Sequence, residues 1–277
     1  MEKIYSLLII IFISPIISLE EGWRSYSACI YGRLQSPISL NEYDSTYSNS
    51  FSFVYQFNKE VNITKNESYT ITWDVPQGNF ANFEKDGVIK QYELEKIELY
   101  NGIHEIDGKK GDYEIHLVHK KNLDFNSNKN QYRKIVDANM YLTVVIRYSN
   151  ICDNINNFCI SDNGLLSKLT QNNIYNFNLN DYPIYQDKRA YLYEGSFLYA
   201  PCDENVNYYV VNDFFYSESD IKGIIGNLKG FNETIEQMDK YGRPVLKNFM
   251  NYREFLKSEM YSINIYYLFF MIIIFFI

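Results

Sequence analysis

The sequence predicts a mainly β fold, because several short segments are rich in aromatic and β-branched residues. Three of them lie in the middle of the chain, FSFVYQF at 51–57, YTITWDV at 69–75 and MYLTVVIRY at 140–148. Such side chains favour the pleated, half-buried environment of a strand. Polar stretches such as 122–130 separate the strands and are predicted to be loops. Apolar residues at spacings of three and four over 221–238 predict one amphipathic helix.

Length and composition indicate one large folded domain. The chain has 277 residues, which is enough for a sizeable core. Aromatic residues make up 17% of the chain, with 27 tyrosines, and charged residues make up 22%. This composition is typical of a folded protein rather than a disordered one. The net charge of −8 argues against nucleic acid as a partner.

The two ends of the chain differ from its middle. Residues 1–18 contain Lys3 and then an apolar run, which predicts a cleaved secretory signal peptide. A buried N-terminal strand or a membrane anchor is the alternative. The folded domain is predicted over 19–255. The tail, 256–277, ends in an apolar run that is shorter than the ~20 residues of a spanning helix.

Three interpretations of this tail remain open. Small residues such as Ser258 or Ser262 before the apolar run fit a glycolipid-anchor signal. A tail-end membrane helix and a soluble product are the other two. We expect the protein in the secretory pathway, at the cell surface or anchored to a membrane outside the cell.

Cysteines and glycosylation triplets agree with export. The four cysteines are an even number, which suits two disulfides in an oxidising compartment. Asn62, Asn66 and Asn232 each begin an Asn-x-Ser/Thr triplet, and we expect at least one to carry a glycan. A glycan would place its segment in a surface loop.

The stretch 94–119 contains two strand-like runs around a turn signal at Asp107-Gly108. It also holds all three histidines of the chain, His104, His116 and His119. The period of two assigns side chains to faces: Lys96, Glu98 and Tyr100 share one face of the first strand, and Glu114, His116 and Val118 share one face of the second.

The run HEIDGKKGDYEIHLVH within this stretch resembles the core motif of the α-type carbonic anhydrases. In that family a zinc-binding strand ends in Glu-x-His-x-Val-His, and the preceding strand, Gln-Phe-His-x-His-Trp-Gly, supplies two further histidine ligands. The aligned residues here, 96–102, read Lys-Ile-Glu-Leu-Tyr-Asn-Gly. The first ligand position is therefore Glu98 and the second is Tyr100, and only the third, His116, is retained.

Two cysteine segments extend the resemblance. Cys29 begins CIYGRLQSPISL, and Cys202 lies in EGSFLYAPCDENV, and both are similar to signatures of exported members of the family. The resemblance implies a disulfide between Cys29 and Cys202. It leaves Cys152 and Cys159 to pair with each other, with free thiols as the alternative.

The resemblance covers roughly residues 23–253 and implies the fold. We expect a single α-carbonic-anhydrase-like domain, with a large, twisted, mostly antiparallel sheet and a few short peripheral helices.

The metal site implied by the resemblance is altered at two of its three ligands. Catalytic zinc takes three protein ligands and a water. A tyrosine phenol seldom binds zinc, because its pKa of ~10 keeps it protonated. Glu98 and His116 alone would hold a metal weakly, so no cofactor is expected. Glu114 is expected to accept from His116, whereas Lys96 stands where the family has a Gln acceptor and can only donate.

The positions that orient the zinc-bound hydroxide in the family are altered as well. The orienting Thr corresponds to Leu198, which has no hydroxyl, and the upstream Glu corresponds to Ile103. No histidine outside 94–119 is available as a proton shuttle. The expected pocket lining is Val118, Phe197, Tyr199 and Tyr208. These rings either narrow a pocket for another small ligand or fill the space that a metal and its waters would take.

These changes predict a catalytically inactive carbonic-anhydrase-like protein. It would act as a binding or structural module with a protein partner at a cell surface, and would contact the membrane through its tail. The alternative is a divergent hydro-lyase that hydrates CO2 with zinc held by Glu98, His116 and Tyr100. Without zinc, we expect Lys96, Glu98 and His116 to form a polar cluster. His119 is predicted to pack on the opposite face, and His104 to be structural.

Overall fold

The computed structural model describes residues 32–57, 61–67, 71–123, 140–149, 159–170, 174–182, 189–199, 202–217 and 243–250. The strands are β1 (Thr46–Tyr47), β2 (Phe51–Phe57), β3 (Val61–Glu67), β4 (Ile71–Asp74), β5 (Asn79–Lys85), β6 (Val88–Asn101), β7 (Glu105–Ile106), β8 (Lys109–Lys110), β9 (Tyr113–Lys121), β10 (Tyr141–Tyr148), β11 (Cys159–Ser161), β12 (Ile174–Phe177), β13 (Ala190–Gly195), β14 (Val206–Tyr216) and β15 (Leu246–Lys247). The helices are α1 (Leu165–Thr170) and one 3₁₀ turn (Leu179–Asp181).

Thirteen of these strands form one mixed sheet, with the order β1-β15-β13-β14-β10-β9-β6-β4-β3-β12. Strands β2, β5 and β11 attach beside this path. Most neighbouring strands are antiparallel, and the parallel pairs within the described residues are β1–β15, β10–β14 and β11–β14. The predicted mainly β domain with short helices is confirmed.

The three strand predictions agree with the structure. Segment 51–57 is β2, segment 69–75 contains β4, and segment 140–148 contains β10. The predicted helix at 221–238, the signal peptide at 1–18 and the tail at 256–277 lie outside the described residues. Within the described ranges, no helix is long and apolar enough to cross a membrane.

The turn signal at Asp107-Gly108 forms a tight hairpin between β7 and β8. Asp107 has φ of 49° and Gly108 has φ of 77°, so both central residues are left-handed. This is the conformation of the hairpin turns that Asp-Gly favours. The hairpin links β6 to β9.

The pairing of β6 with β9 fixes the two faces of the sheet. Lys96 lies opposite Val118, Glu98 opposite His116, and Tyr100 opposite Glu114. The intervening side chains face the other way into the main core, and those of Ile97, Leu99, Ile115 and Leu117 are at most 1% exposed. We call the face that carries Glu98 and His116 the site face. The predicted assignment of side chains to faces is confirmed.

Two motif segments that carry the family resemblance contact each other beside the site face. The backbone N–H of Ser36 donates to Ser196 Oγ, and the backbone N–H of Ser196 donates to Ser36 Oγ, each at 3.1 Å. A Cβ on Gly195 would lie 2.0 Å from Ser36 Oγ. A glycine is required there, and the close contact fixes the segment that follows β13.

Candidate functional site

Glu98 is the centre of a polar cluster at the first of the two altered ligand positions. Its carboxylate is buried, and it accepts a hydrogen bond of 3.0 Å from the Tyr100 phenol. The ammonium of Lys96 lies 2.6 Å from the other carboxylate oxygen. Both oxygens of Glu98 are therefore engaged by the neighbouring residues of its own strand face. We call Lys96, Glu98, Tyr100 and Tyr199 the outer cluster.

Lys96 is held from its other side by the segment after β13. Its Nζ donates to the Tyr199 hydroxyl at 2.5 Å and lies 4.5 Å from the centre of that ring. The centre of the Phe197 ring lies 6.0 Å from the same ammonium. The Lys96 side chain remains 21% exposed, so the cluster is open to solvent at this point. An ammonium that is stacked on an aromatic ring and paired with a carboxylate is well fixed.

The charges in the outer cluster keep its phenols neutral. Burial and then the negative charge of Glu98 raise the pKa of Tyr100 well above its ordinary value. Burial and Glu98 also raise the pKa of Tyr199, although Lys96 opposes the shift. Burial alone would lower the pKa of Lys96, but Glu98 and the hydrogen bonds outweigh it and the pKa is raised. The cluster is a protonated amine, a carboxylate and two neutral phenols.

A second polar group, which we call the inner network, lies next to the outer cluster on the site face. Glu114 Oε1 accepts from the backbone N–H groups of Ile103 at 3.1 Å and His104 at 2.7 Å. Glu114 Oε2 accepts from His104 Nδ1 at 2.8 Å and from His116 Nε2 at 3.1 Å. His104 Nε2 in turn contacts the Tyr193 hydroxyl at 2.7 Å. Four hydrogen bonds thus satisfy a carboxylate that is fully buried.

The protonation states follow from the acceptor-only chemistry of a carboxylate. Burial would raise the pKa of Glu114, but its interactions with His104 and His116 outweigh burial and lower it to about 2. Burial lowers the pKa of His104, although Glu114 opposes the shift. Neutral His104 then donates through Nδ1 and accepts from Tyr193 through Nε2.

His116 differs in part from its prediction. The register places it directly across from Glu98, as expected, and Glu114 accepts from it, as expected. Its Nε2 is nevertheless bonded to Glu114 and not to Glu98, so the predicted Lys96–Glu98–His116 cluster forms only at its Lys96–Glu98 part. Glu98 already has two partners, whereas Glu114 accepts the N–H of His116 as one of its four hydrogen bonds.

The two positions that correspond to hydroxide-orienting residues form an apolar contact. Ile103 and Leu198 pack with the ring of Tyr100 in a small buried cluster. They are 2% and 9% exposed, respectively. Neither side chain carries a hydrogen-bonding group, so these two residues form an apolar wall beside Tyr100.

The remaining predicted pocket residues lie around the two groups. Val118 is buried opposite Lys96. Tyr208 donates to the carbonyl of Ser196 at 2.8 Å and stacks on Tyr193, with ring centres 5.0 Å apart. Phe197 is half-buried and meets Tyr141 edge to face. The rings therefore fill this side of the site face.

Two residues that support the site were not predicted from the sequence. Tyr193 holds His104, and Tyr141 supports Phe197. The alternation along β13 places Tyr193 on the same face as Tyr191, but only the pairing of β13 with β14 shows which histidine it reaches. Tyr141 is the second residue of the predicted strand at 140–148 and gives no further signal.

The other two histidines agree with their predictions. His119 is on the opposite face, where Nε2 contacts the Tyr55 hydroxyl at 2.7 Å and Nδ1 contacts the carbonyl of Leu142 at 3.1 Å. Burial lowers the pKa of His119 to about 4. His104 is fully buried beside the β7–β8 hairpin, and its contacts are structural.

The structure describes only some of the cysteines predicted to form disulfides and of the asparagines predicted to carry glycans. Neither Cys159 nor Cys202 is a free thiol, and their predicted partners, Cys152 and Cys29, lie outside the described residues. Asn62 and Asn66 lie in strand β3 and not in a loop, and their glycosylation stays a prediction. Asn232 is also outside the described residues.

The family model for the eukaryotic-type carbonic anhydrases matches residues 18–257. The chain belongs to this family. No curated protein sequence matches it significantly.

Solved structures support the fold of this family member. It is similar to dioscorin in a complex with ascorbate, with a TM-score of 0.63 and 20% identity over 82% of this chain and 90% of that one. It is also similar to the α-carbonic anhydrase of Thermovibrio ammonificans, with a TM-score of 0.60 and 18% identity over 80% and 90% of the two chains. For the α-carbonic anhydrase of Photobacterium profundum the TM-score is 0.59, with 19% identity over 82% and 95%.

The residues at the ligand positions of this family do not fit zinc as they are arranged. A catalytic zinc needs three protein donors, and the site face offers Glu98 and the Nδ1 of His116. Tyr100 is a protonated donor to Glu98, and the ammonium of Lys96 lies against the same carboxylate. His104, Glu114 and His116 each have a possible ligand atom within 4.8 Å of the other two, but both ring nitrogens of His104 and both oxygens of Glu114 are already hydrogen-bonded.

Proposed function

We propose that the protein is a catalytically inactive member of the carbonic anhydrase family that acts as a binding or structural module. The observation that carries the proposal is the pairing of Glu98 with Lys96 and Tyr100 at the ligand positions. A carboxylate that is neutralised by an internal ammonium has little left to offer a metal. A fold persists after its site is lost because scaffold and chemistry are separable.

The wall of the site gives independent support. Leu198 and Ile103 form an apolar contact with Tyr100 where a hydroxide would be oriented. A metal-bound water, even if it formed, would meet no side-chain acceptor from these two residues. Loss of the ligands and loss of the orienting pair affect different steps, so restoring one of them would not restore hydration.

The alternative function is hydration of CO2 with zinc held by Glu98, His116 and Tyr100. It requires Tyr100 to lose its proton, and burial beside Glu98 opposes that by raising the pKa of the phenol. It also requires Lys96 to leave Glu98. Both requirements make this function the less favoured one.

The test is a CO2-hydration assay on the mature chain after incubation with zinc, with and without a sulfonamide. We expect the rate to equal that of buffer with free zinc. A rate above this background that the sulfonamide abolishes would refute the proposal. An established active carbonic anhydrase, treated in the same way, serves as the positive control.

We further propose that the protein is exported, glycosylated and held at the cell surface through its tail, where it meets a protein partner. The support is the signal-like segment 1–18, the apolar tail over 256–277 and the cysteines that are not free thiols. The proposed disulfides are Cys29–Cys202 and Cys152–Cys159.

Peptide mapping of the secreted chain without reduction tests this part. We expect cross-linked peptides for both pairs, a first residue near 19, and mass removed by a glycosidase at Asn62, Asn66 or Asn232. Release from membranes by a phospholipase would support a glycolipid anchor, and retention would favour a membrane helix. An unprocessed N-terminus with free thiols would contradict export.

A further inference from the structure

Loss of two histidine ligands explains weak metal binding, but it does not explain why an ammonium is fixed at the same place. Glu98 is a carboxylate, which is an acceptable zinc ligand, and it lies across from His116. A site with these two donors would still attract divalent cations weakly. The missing histidines therefore do not account for the ammonium of Lys96, which needs an explanation of its own.

Three contacts hold the Lys96 ammonium on the site face. It pairs with Glu98 at 2.6 Å, donates to Tyr199 at 2.5 Å and lies over the ring of Tyr199. The aromatic contacts come from the segment after β13, which is distant in sequence from β6. The lysine is thus oriented toward Glu98 from both sides and does not extend into solvent as a surface lysine would.

A metal that used Glu98 as a ligand would lie close to this ammonium. Like charges at such short range repel strongly where water is partly excluded. The metal would have to break the ion pair, the hydrogen bond to Tyr199 and the contact with its ring. The ammonium supplies the positive charge that the buried carboxylate needs, so no second cation is required for neutrality.

We propose that Lys96 is the resident cation of this site and the residue that excludes divalent metal from it. The inference rests on the proposed function, because it assumes that the natural chain binds no catalytic zinc. The inference is that the positive charge of Lys96 excludes divalent metal, in addition to the effect of the two missing histidine ligands.

The experiment measures Co²⁺ and Zn²⁺ affinity in variants that regain a third donor. Tyr100→His places an imidazole beside Glu98 and across from Glu114. We expect the variant Tyr100→His with Lys96→Gln to bind both metals about tenfold or more tightly than Tyr100→His alone. The visible absorption of bound Co²⁺ reports whether the ligands are nitrogen and oxygen in a tetrahedral arrangement.

Two controls separate charge from packing. Lys96→Arg in the Tyr100→His background keeps the charge and is expected to leave the affinity low. Lys90→Gln removes a lysine from the other half of the same strand, and it is expected to leave the affinity unchanged. Equal metal affinity of the Tyr100→His protein with and without the Lys96→Gln change would overturn the proposal.

Failure of this inference and failure of the proposed function give different results. Wild-type chain measured in parallel tests whether the natural site binds zinc, and the Lys96 comparison tests what excludes it. Thermal unfolding of each apoprotein checks that the variants fold. If Tyr100→His does not fold, Lys96→Gln is compared with wild type by Co²⁺ titration, where a gain in affinity supports the proposal and no gain refutes it.

Discussion

The outer cluster and the inner network lie on the same face of the same two strands, yet they differ in what they retain. The inner network, Glu114 with His104, His116 and Tyr193, contains the retained ligand position His116 and is almost fully buried. The outer cluster has Glu98 and Tyr100 in place of two histidines and opens to solvent at Lys96. The acceptor of the retained position, His116, is in place, whereas the residues at the other two ligand positions, Glu98 and Tyr100, are hydrogen-bonded to each other.

The difference indicates that the inner network serves the fold. A buried carboxylate needs partners whether or not a metal is bound nearby, and Glu114 has four of them. Glu98 in the outer cluster is also buried, but its partners Lys96 and Tyr100 lie on the same strand, so a substitution there can be offset by a neighbouring side chain. Four predictions test this contrast.

Glu114→Gln gives the largest expected effect. The change leaves two buried histidine donors facing an amide in place of a carboxylate. We expect a loss of about 3 kcal/mol in the free energy of unfolding, measured by urea denaturation. Glu105→Gln, at a half-buried position in β7, is the matched control and is expected to change stability by less than about 0.5 kcal/mol. Similar losses in both variants would mean that the inner network is not structural.

His119 supplies a buried histidine without a carboxylate partner. Its pKa falls from 6.5 to about 4 on folding. Below pH 6.5 the unfolded chain binds a proton that the folded chain does not, so stability is complete above about pH 6.5 and is lost as the pH falls toward 4. At 1.36 kcal/mol per pH unit the loss amounts to about 3 kcal/mol.

Urea denaturation at several pH values checks this result. His119→Gln is expected to make the acid dependence between pH 6.5 and 4 shallower, whereas Tyr55→Phe, which keeps the histidine, is expected to preserve it. An unchanged dependence in His119→Gln would show that another group is responsible.

Lys96→Gln tests the outer cluster. Removing the ammonium leaves Glu98 with Tyr100 as its described hydrogen-bond donor, and we expect a loss of about 1–2 kcal/mol, reduced because Lys96 is partly exposed. Glu98→Gln combined with Lys96→Gln is expected to restore most of this stability. A double-mutant cycle measures the coupling. Additive losses would show that the two side chains do not stabilise each other.

Tyr199→Phe gives the smallest expected effect. It removes the hydroxyl that accepts from Lys96 and keeps the ring below the ammonium. We expect a loss of about 0.5–1 kcal/mol, with a further loss of similar size in Tyr199→Ala. Thermal unfolding of the two variants separates the hydroxyl from the ring. A larger loss for Phe than for Ala would contradict the assignment.

The sequence was sufficient for the fold and for the faces of β6 and β9. The order of the motifs predicted the family, and the period of two predicted that Lys96 and Glu98 would be neighbours. The sequence predicted two carboxylate partners for His116, Glu114 two residues along its own strand and Glu98 across the strands, and only the contact with Glu114 is present. Which carboxylate accepts depends on the ring orientation and on the partners that Glu98 already has.

Contacts between distant segments were also beyond the sequence. Ile103 and Leu198 occupy the positions of a polar pair in the family, but their packing against Tyr100 depends on the path of two loops. Tyr193 was missed because its contact with His104 joins segments that are distant in sequence, and only the pairing of β13 with β14 shows it.

The central claim is that the site contains an internal cation and no catalytic metal. Elemental analysis of the chain purified from its natural source and dialysed against metal-free buffer tests it most directly. We predict zinc far below one equivalent per chain. One tightly held equivalent of zinc, whatever its ligands, would contradict the account.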